Sequence, residues 1–347
     1  MINVNILWNL TKSTWQFAKS EICCSAGCNK YQFKQIEQVI KMRVKKIAAS
    51  AVFSLSVLFF SGTNLVHAAD DDKFKDVVIK TIEVRDGIYM LMGSGGNIGV
   101  SVGEDGVFLI DDQYAPLTEK IKAAVAQISN QAIRFLINTH WHGDHTGGNE
   151  NLGNENVLIV AHDNVHERMN KENTIKAFGS TVPASPKAAL PVITFNDTVT
   201  FRLNGQEIHV MHQSNAHTDG DSIVHFKDAN VIHTGDVYFN GLYPFIDTSS
   251  EGSVDGMIRT AKTIIAIADD HTKIIPGHGE LSNKQGLQDY LKMLTTVRSR
   301  MQKLIDEGKS LEEIIALKPN ADYDKTWGVA FLKPDQFTSI VYDSLTR

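Results

Sequence analysis

The sequence predicts an α/β sandwich with helices on its outside, ending in a helical tail. Three observations predict it. Short runs rich in β-branched and aromatic residues recur between Gly, Asp and Asn turns, from Thr81–Arg85 to Lys273–Ile275. Segments with helical spacing of apolar residues alternate with them. After residue 284 the signals are helical only.

Taken in order, Thr81–Arg85, Ile88–Met92, Ile98–Val102 and Val107–Ile110 read as strands separated by Gly or Asp-Gly turns. Leu117–Ser129 reads as a helix. Ile133–Asn138 is a strand that runs straight into His140. Val157–Ala161 is a further strand and Asn164–Lys171 a helix. Phe178–Pro191, rich in Ala, Ser and Pro, reads as an exposed loop of the kind that borders active sites. Val199–Leu203, Ile208–Met211, Ile223–Phe226 and Val231–His233 are strands, Val254–Ala268 a helix and Lys273–Ile275 the last strand. Gln285–Glu307 is a long helix. Ser310 and Glu313 spell a capping box for the next one, and Pro334 opens a last helix near Asp335–Leu345.

The N-terminal segment is expected to stand apart from the fold. Met42-Arg43-Val44-Lys45-Lys46 is basic, Ile47–Phe60 is a short apolar run, and Val66-His67-Ala68 offers a small-residue cleavage site. That order defines a secretory signal over residues 42–69, for a periplasmic or secreted product that meets a membrane only through this segment before cleavage. An uncleaved anchor is the alternative, but the run is short for a span. Residues 1–41 are expected to be an upstream extension, with Met42 a natural start. They hold all three cysteines, Cys23, Cys24 and Cys28, so the expected mature chain has none and relies on its core. Residues 70–284 are expected to form the main domain, with 285–347 packed on it as a helical extension. Loss of residues 1–69 removes eight basic and two acidic residues, leaving 26 basic against 38 acidic and a net charge of −12. Such a chain is a poor nucleic-acid binder. Its partner is expected to be a small-molecule substrate, and its oligomeric state is left open.

The densest chemistry is His140-Trp141-His142-Gly143-Asp144-His145, three imidazoles and a carboxylate within six residues of a chain with 13 histidines in 347. His140 and His142 alternate, so both can point to one side of an extended segment. Gly143 lets the chain turn and aim Asp144 and His145 at a second point. Imidazole and carboxylate are the usual nitrogen and oxygen ligands of hydrolytic zinc. Three later motifs each follow a β run: His217 in Ala216-His217-Thr218-Asp219, Asp236 in Thr234-Gly235-Asp236, and His278 in Pro276-Gly277-His278-Gly279. Strand ends converge on one sheet edge, so these residues can share a site. Asp111, ending Val107–Ile110, is a candidate acceptor for a ligand histidine or a simple turn residue. Gly93–Asn97 reads as a hairpin turn able to act as a flap. The other histidines, His162, His166, His209, His212, His225, His233 and His271, read as ordinary surface or core residues.

In order, spacing and strand context these motifs resemble those of the metallo-β-lactamase superfamily, over roughly residues 78–281. The resemblance implies a four-layered αββα metallo-β-lactamase sandwich. Carried over by position, His140, His142 and His217 would hold one zinc, and Asp144, His145 and His278 a second. Asp236 would bridge them as in the hydrolase branches of the family. Two such cations activate a bridging water as nucleophile and polarise the scissile carbonyl. Asp144 and Asp236 are then the catalytic carboxylates. Iron or manganese also fits a His/Asp dinuclear site.

The implied activity is an exported dinuclear zinc hydrolase of amides, lactams, esters or lactones. One alternative is a bona fide class B β-lactamase. Against it, that family's first subclass has a cysteine where Asp236 stands, a drug-gripping lysine where Phe239 stands, and usually an arginine in place of His145. The other alternative is a non-catalytic metal- or ligand-binding protein. Trp141, Phe239, Tyr243 and Phe245 are the candidate substrate-lining residues. The last two belong to an aromatic wall suited to a hydrophobic acyl group or a lactone ring.

Overall fold

The computed structural model describes residues 73–347. The expected upstream extension, the signal segment and the three cysteines lie outside the described residues. Sheet one contains β1 (Lys80–Arg85), β2 (Ile88–Met92), β3 (Ile98–Gly103), β4 (Gly106–Ile110), β5 (Ile133–Ile137), β6 (Leu158–His162) and β9 (Ile193–Phe195), in that spatial order. Between these strands come α1 (Thr118–Ala126), α2 (Gly143–Thr146), α3 (Asn149–Asn154) and α4 (Asp163–Met169). A separate hairpin pairs β7 (Asn173–Ile175) with β8 (Ser180–Val182). Strands β1 to β4 run antiparallel, and β4, β5, β6 and β9 run parallel.

Sheet two runs β10 (Thr198–Leu203), β11 (Gln206–His212), β12 (Ser222–Phe226), β13 (Val231–His233), β14 (Lys273–Ile275) and β15 (Ser282–Asn283), with only the β13–β14 pair parallel. The remaining helices are α5 (Val254–Ile267), α6 (Lys284–Asp306), α7 (Leu311–Leu317), α8 (Asp324–Trp327) and α9 (Pro334–Leu345).

Strand alternation builds the layers. Ile88, Met90, Phe108 and Ile110 of sheet one meet Val224, Phe226, Val231 and Ile275 of sheet two in a central core. Their sequence neighbours point the other way. Leu91, Val107 and Leu109 pack under Ile121 and Val125 of α1 and Leu152 of α3. Ile223, Ile232 and Ile274 pack under Met257, Ala261 and Ile264 of α5 and Leu287, Met293, Leu294 and Val297 of α6. The result is the αββα sandwich, and the helices after residue 284 form much of its fourth layer. Leu294 is fully buried there. Leu294→Ala is therefore expected to lower the unfolding free energy by about 2–5 kcal/mol, read from denaturant melts. A loss below about 1 kcal/mol would show that α6 does not belong to the core.

Local chemistry explains where sequence reading and structure differ. Ser310 and Glu313 do form the capping box of α7, and Pro334 opens α9. Helix α3 was not expected, because its sequence, Asn-Glu-Asn-Leu-Gly-Asn, offers one apolar residue to any period. The expected loop 178–191 contains β8, whose partner β7 lies just before it, and neither strand alternates enough to announce itself. Among the described residues, no helix is long and apolar enough to cross a membrane.

Candidate metal centre

Four strand ends deliver the candidate ligands. The chain leaves β5 and reaches His140. His142 is extended (φ −66°, ψ 147°) and caps the single helical turn α2. That turn, with His145 N–H and Thr146 N–H donating to the His142 carbonyl, swings Asp144 and His145 away from the direction of His140 and His142. His217 lies in the β11–β12 connection, Asp236 in a short turn after β13, and His278 after β14.

All seven candidates meet. The donor atoms form three overlapping groups, within each of which they lie no more than 4.8 Å apart: His140, His142 and His217; His140, His145 and Asp236; Asp144, His145 and His278. Asp236 touches both ends. Its Oδ1 lies 3.1 Å from His145 Nε2. Its Oδ2 lies 3.4 Å from His278 Nε2, 3.6 Å from His217 Nε2 and 3.9 Å from His140 Nε2. Asp144 Oδ2 lies 3.3 Å from His278 Nε2 and 3.7 Å from His145 Nε2.

The imidazoles are fixed from behind. Asp111 Oδ2 sits 2.7 Å from His145 Nδ1 and also accepts the Thr139 hydroxyl, so this aspartate is an acceptor for a candidate ligand rather than a bare turn residue. The Phe245 carbonyl holds His217 Nδ1 at 2.8 Å, Thr139 Oγ1 sits 3.0 Å from His140 Nδ1, and Asp247 Oδ2 sits 3.1 Å from His142 Nε2. In each ring the other nitrogen faces the centre. Such partners set the tautomer and aim the ligand lone pair. His140 Nε2 and Asp236 Oδ1 are buried without a hydrogen-bond partner. Orphaned buried donors and acceptors are costly, and a cation between them would satisfy both. The donor set therefore fits bound metal.

The carboxylates and imidazoles of the centre shift one another's charge. Burial alone would raise the Asp236 carboxyl, but the His145 and His278 charges outweigh it and hold it well below its usual range. Burial, against the pull of Asp236, brings His217 down to about 4, so it is neutral and ligand-ready near pH 7. His278 goes the other way. Burial lowers it, but Asp236 and Asp144 together carry it up to about 9.

Asp247 was not singled out as an acceptor by the sequence. It also takes the Ser249 N–H and the Ser250 hydroxyl, an Asp-Thr-Ser-Ser turn pattern that could have flagged it. Asp247→Ala is expected to weaken metal affinity about 10- to 100-fold, measured by competition with a chromophoric chelator. Unchanged affinity would remove Asp247 from the support of His142.

The four candidate lining residues fare differently. Phe245 packs 5.6 Å from both His142 and His217. Phe239 stacks on His278 at 5.1 Å and 15°, bracing that candidate ligand. Trp141 packs among Ala161, Val165, Met169 and Ala189 and donates to Ser250 Oγ. The cavity it borders is lined by none of the seven candidate ligands. Tyr243 does not line a cleft: its ring is buried against Phe337 at 4.3 Å, and its hydroxyl donates to Asp324. The expected flap is likewise held down. Gly96 N–H donates to the Asp144 carbonyl, Asn97 N–H to the Gly277 carbonyl, and Asn97 Nδ2 to the Pro276 and Gly279 carbonyls. His162 and His212 stack on each other at 3.6 Å, away from the ligand groups.

A layered αββα sandwich with histidines and aspartates gathered at its strand ends defines a class of metal-site proteins. The family model described as "Metallo-beta-lactamase superfamily" matches residues 92–278, and the chain belongs to that superfamily. It is similar to the acyl-coenzyme A thioesterase MBLAC2 of Bos taurus, 24% identical over 209 residues, covering 56% of this chain and 73% of that one. It is also similar to the hydroxyacylglutathione hydrolase of Nitrosococcus oceani, 27% identical over 172 residues, covering 49% and 58%. The chain spans between 31% and 73% of the length of the curated relatives it matches. Among solved structures, a metallo-beta-lactamase from Pontibacter korlensis superposes with a TM-score of 0.52 at 17% identity, covering 62% of this chain and 99% of that one. At that identity the likeness speaks for the fold.

Proposed function

We propose that the chain is an exported metal-dependent hydrolase that holds two zinc ions and cleaves an activated acyl bond: an ester, thioester, lactone or amide. The observation that carries the reading is the Asp236 carboxylate, within 3.1–3.9 Å of histidines from both ligand groups. His140, His142 and His217 would hold one ion, and Asp144, His145 and His278 the other, with Asp236 between. A bound pair would supply a water acidic enough to attack near neutral pH and a Lewis acid for the carbonyl oxygen.

The chain's own residues do the rest. Asp144 is the partly exposed carboxylate of the centre, with its Oδ2 beside His278, so it is placed to orient the attacking water and receive a hydrogen bond from it. Asp111, Asp247, Thr139 and the Phe245 carbonyl keep the imidazoles from turning. Phe239 and Phe245 exclude water around His278, His142 and His217. Two relatives are named acyl-coenzyme A thioesterase and hydroxyacylglutathione hydrolase, which supports acyl transfer to water as the reaction class. Phe239, stacked on a ligand, leaves no cation there to grip a drug carboxylate, which disfavours the β-lactamase reading.

The test is a panel of esters, thioesters, lactones and nitrocefin on zinc-loaded protein, with and without chelator. Turnover of an acyl substrate that chelator abolishes and zinc restores is the expected result. Chelator-insensitive turnover, or none across the panel, would contradict the proposal.

A further inference from the structure

Three phenyl rings lead outward from the metal centre. Phe245, 5% exposed, packs on the ligand candidates His142 and His217. Phe178, 43% exposed, lies 4.8 Å from Phe245. Phe331, 64% exposed, lies 5.7 Å from Phe178. The three come from unrelated segments: the wall after β13, the tip of the β7–β8 hairpin, and the tail before α9.

Each outer ring sits on a segment tied to the rest of the fold. At the hairpin tip, Lys176 N–H donates to Ser249 Oγ, next to the turn that carries Asp247. The tail is clamped by Tyr243: its N–H donates to the Trp327 carbonyl at 2.7 Å, its hydroxyl to Asp324 Oδ1, and its ring stacks on Phe337. Tyr243 thus sets the tail segment that presents Phe331. Apolar area left in water costs about 25 cal/mol per Å², and clustered exposed aromatics usually mark a binding surface.

We infer that Phe245, Phe178 and Phe331 form a track that binds the apolar chain of an acyl substrate, with Phe178 and Phe331 determining the chain length accepted. The inference rests on the hydrolase reading above and names its substrate class. An acyl chain is the occupant because the ring series is continuous with the centre: its buried inner ring packs on two candidate ligand histidines, so a chain leaving the centre past Phe245 meets Phe178 and then Phe331. Exposure rises ring by ring toward solvent, as a track for a chain of increasing length requires.

The experiment uses the full metal-loaded chain. Values of kcat/KM are measured for p-nitrophenyl acetate, butyrate and octanoate, and Kd for dansyl-undecanoate, in the wild type, Phe178→Ala, Phe331→Ala and the distant surface control Val192→Ala. The expected wild-type preference for octanoate over acetate falls about tenfold in each Phe variant. The Kd for the dansyl probe rises by a similar factor, and the control matches the wild type. Both Phe positions are exposed enough that melting temperatures should hold. A flat chain-length profile in the wild type, or variants that leave both the ratio and the Kd unchanged, would overturn the inference while leaving the hydrolase reading intact. Absence of ester turnover with a tenfold Kd effect would keep the track and sink the hydrolase reading. Loss of self-association in Phe331→Ala, with no change in ratio or Kd, would assign the patch to a second copy of the chain and overturn the inference.

Discussion

Replacing Asp236 with alanine is expected to cut bound metal from two ions per chain to one or none, and turnover on the order of a thousandfold. The reason is geometric. Among the described residues, Asp236 is the one carboxylate whose two oxygens reach histidines of both groups. Removing it takes away a shared anion and leaves like-charged cations facing each other with no screen between them. It also leaves His145 without one of the charges that raise its basicity. Elemental analysis and turnover on the best acyl substrate check both parts. Two ions per chain with near-normal turnover would remove Asp236 from the centre.

The second large effect comes from a glycine. A methyl at Gly96 would sit 2.1 Å from His145 Cε1. His145 cannot yield, because Asp111 holds its Nδ1 at 2.7 Å while its Nε2 faces Asp236. The glycine backbone is itself tied, with its N–H on the Asp144 carbonyl and its carbonyl taken by Gln113 Nε2. Gly96→Ala is therefore expected to cost about 1–3 kcal/mol of stability. It should also deplete the ion held by Asp144, His145 and His278 before the other. A denaturant melt and a metal titration read the two effects. A variant with unchanged stability and two ions bound would show that the hairpin is free to move and does not buttress the ligand.

The candidate ligands were legible in the sequence because the chemistry is dense and local: four of the seven lie within six consecutive residues, and the others each follow a strand. The layered fold was legible for a similar reason, since alternation at Ile88–Met92 and Val107–Ile110 prints both faces of a strand onto adjacent letters. What the sequence hid was pairing across distance. Asp247 lies 105 residues from the histidine it orients, and its local Asp-Thr-Ser-Ser turn pattern marks an acceptor of neighbouring donors without naming the distant ring. Tyr243 was misplaced because an aromatic run beside a site can face either the cleft or the core, and only the tail helices decide which. Phe178 and Phe331 lie in a loop and a tail with no shared period, so their meeting is a product of tertiary structure alone.

The central claim is a two-ion centre spanned by Asp236. Anomalous diffraction at the zinc edge from crystals of the zinc-loaded protein tests it most directly. Two peaks are expected, one among His140, His142 and His217 and one among Asp144, His145 and His278, with the Asp236 carboxylate between them. A single peak, or two peaks with Asp236 turned away from either, would contradict the account.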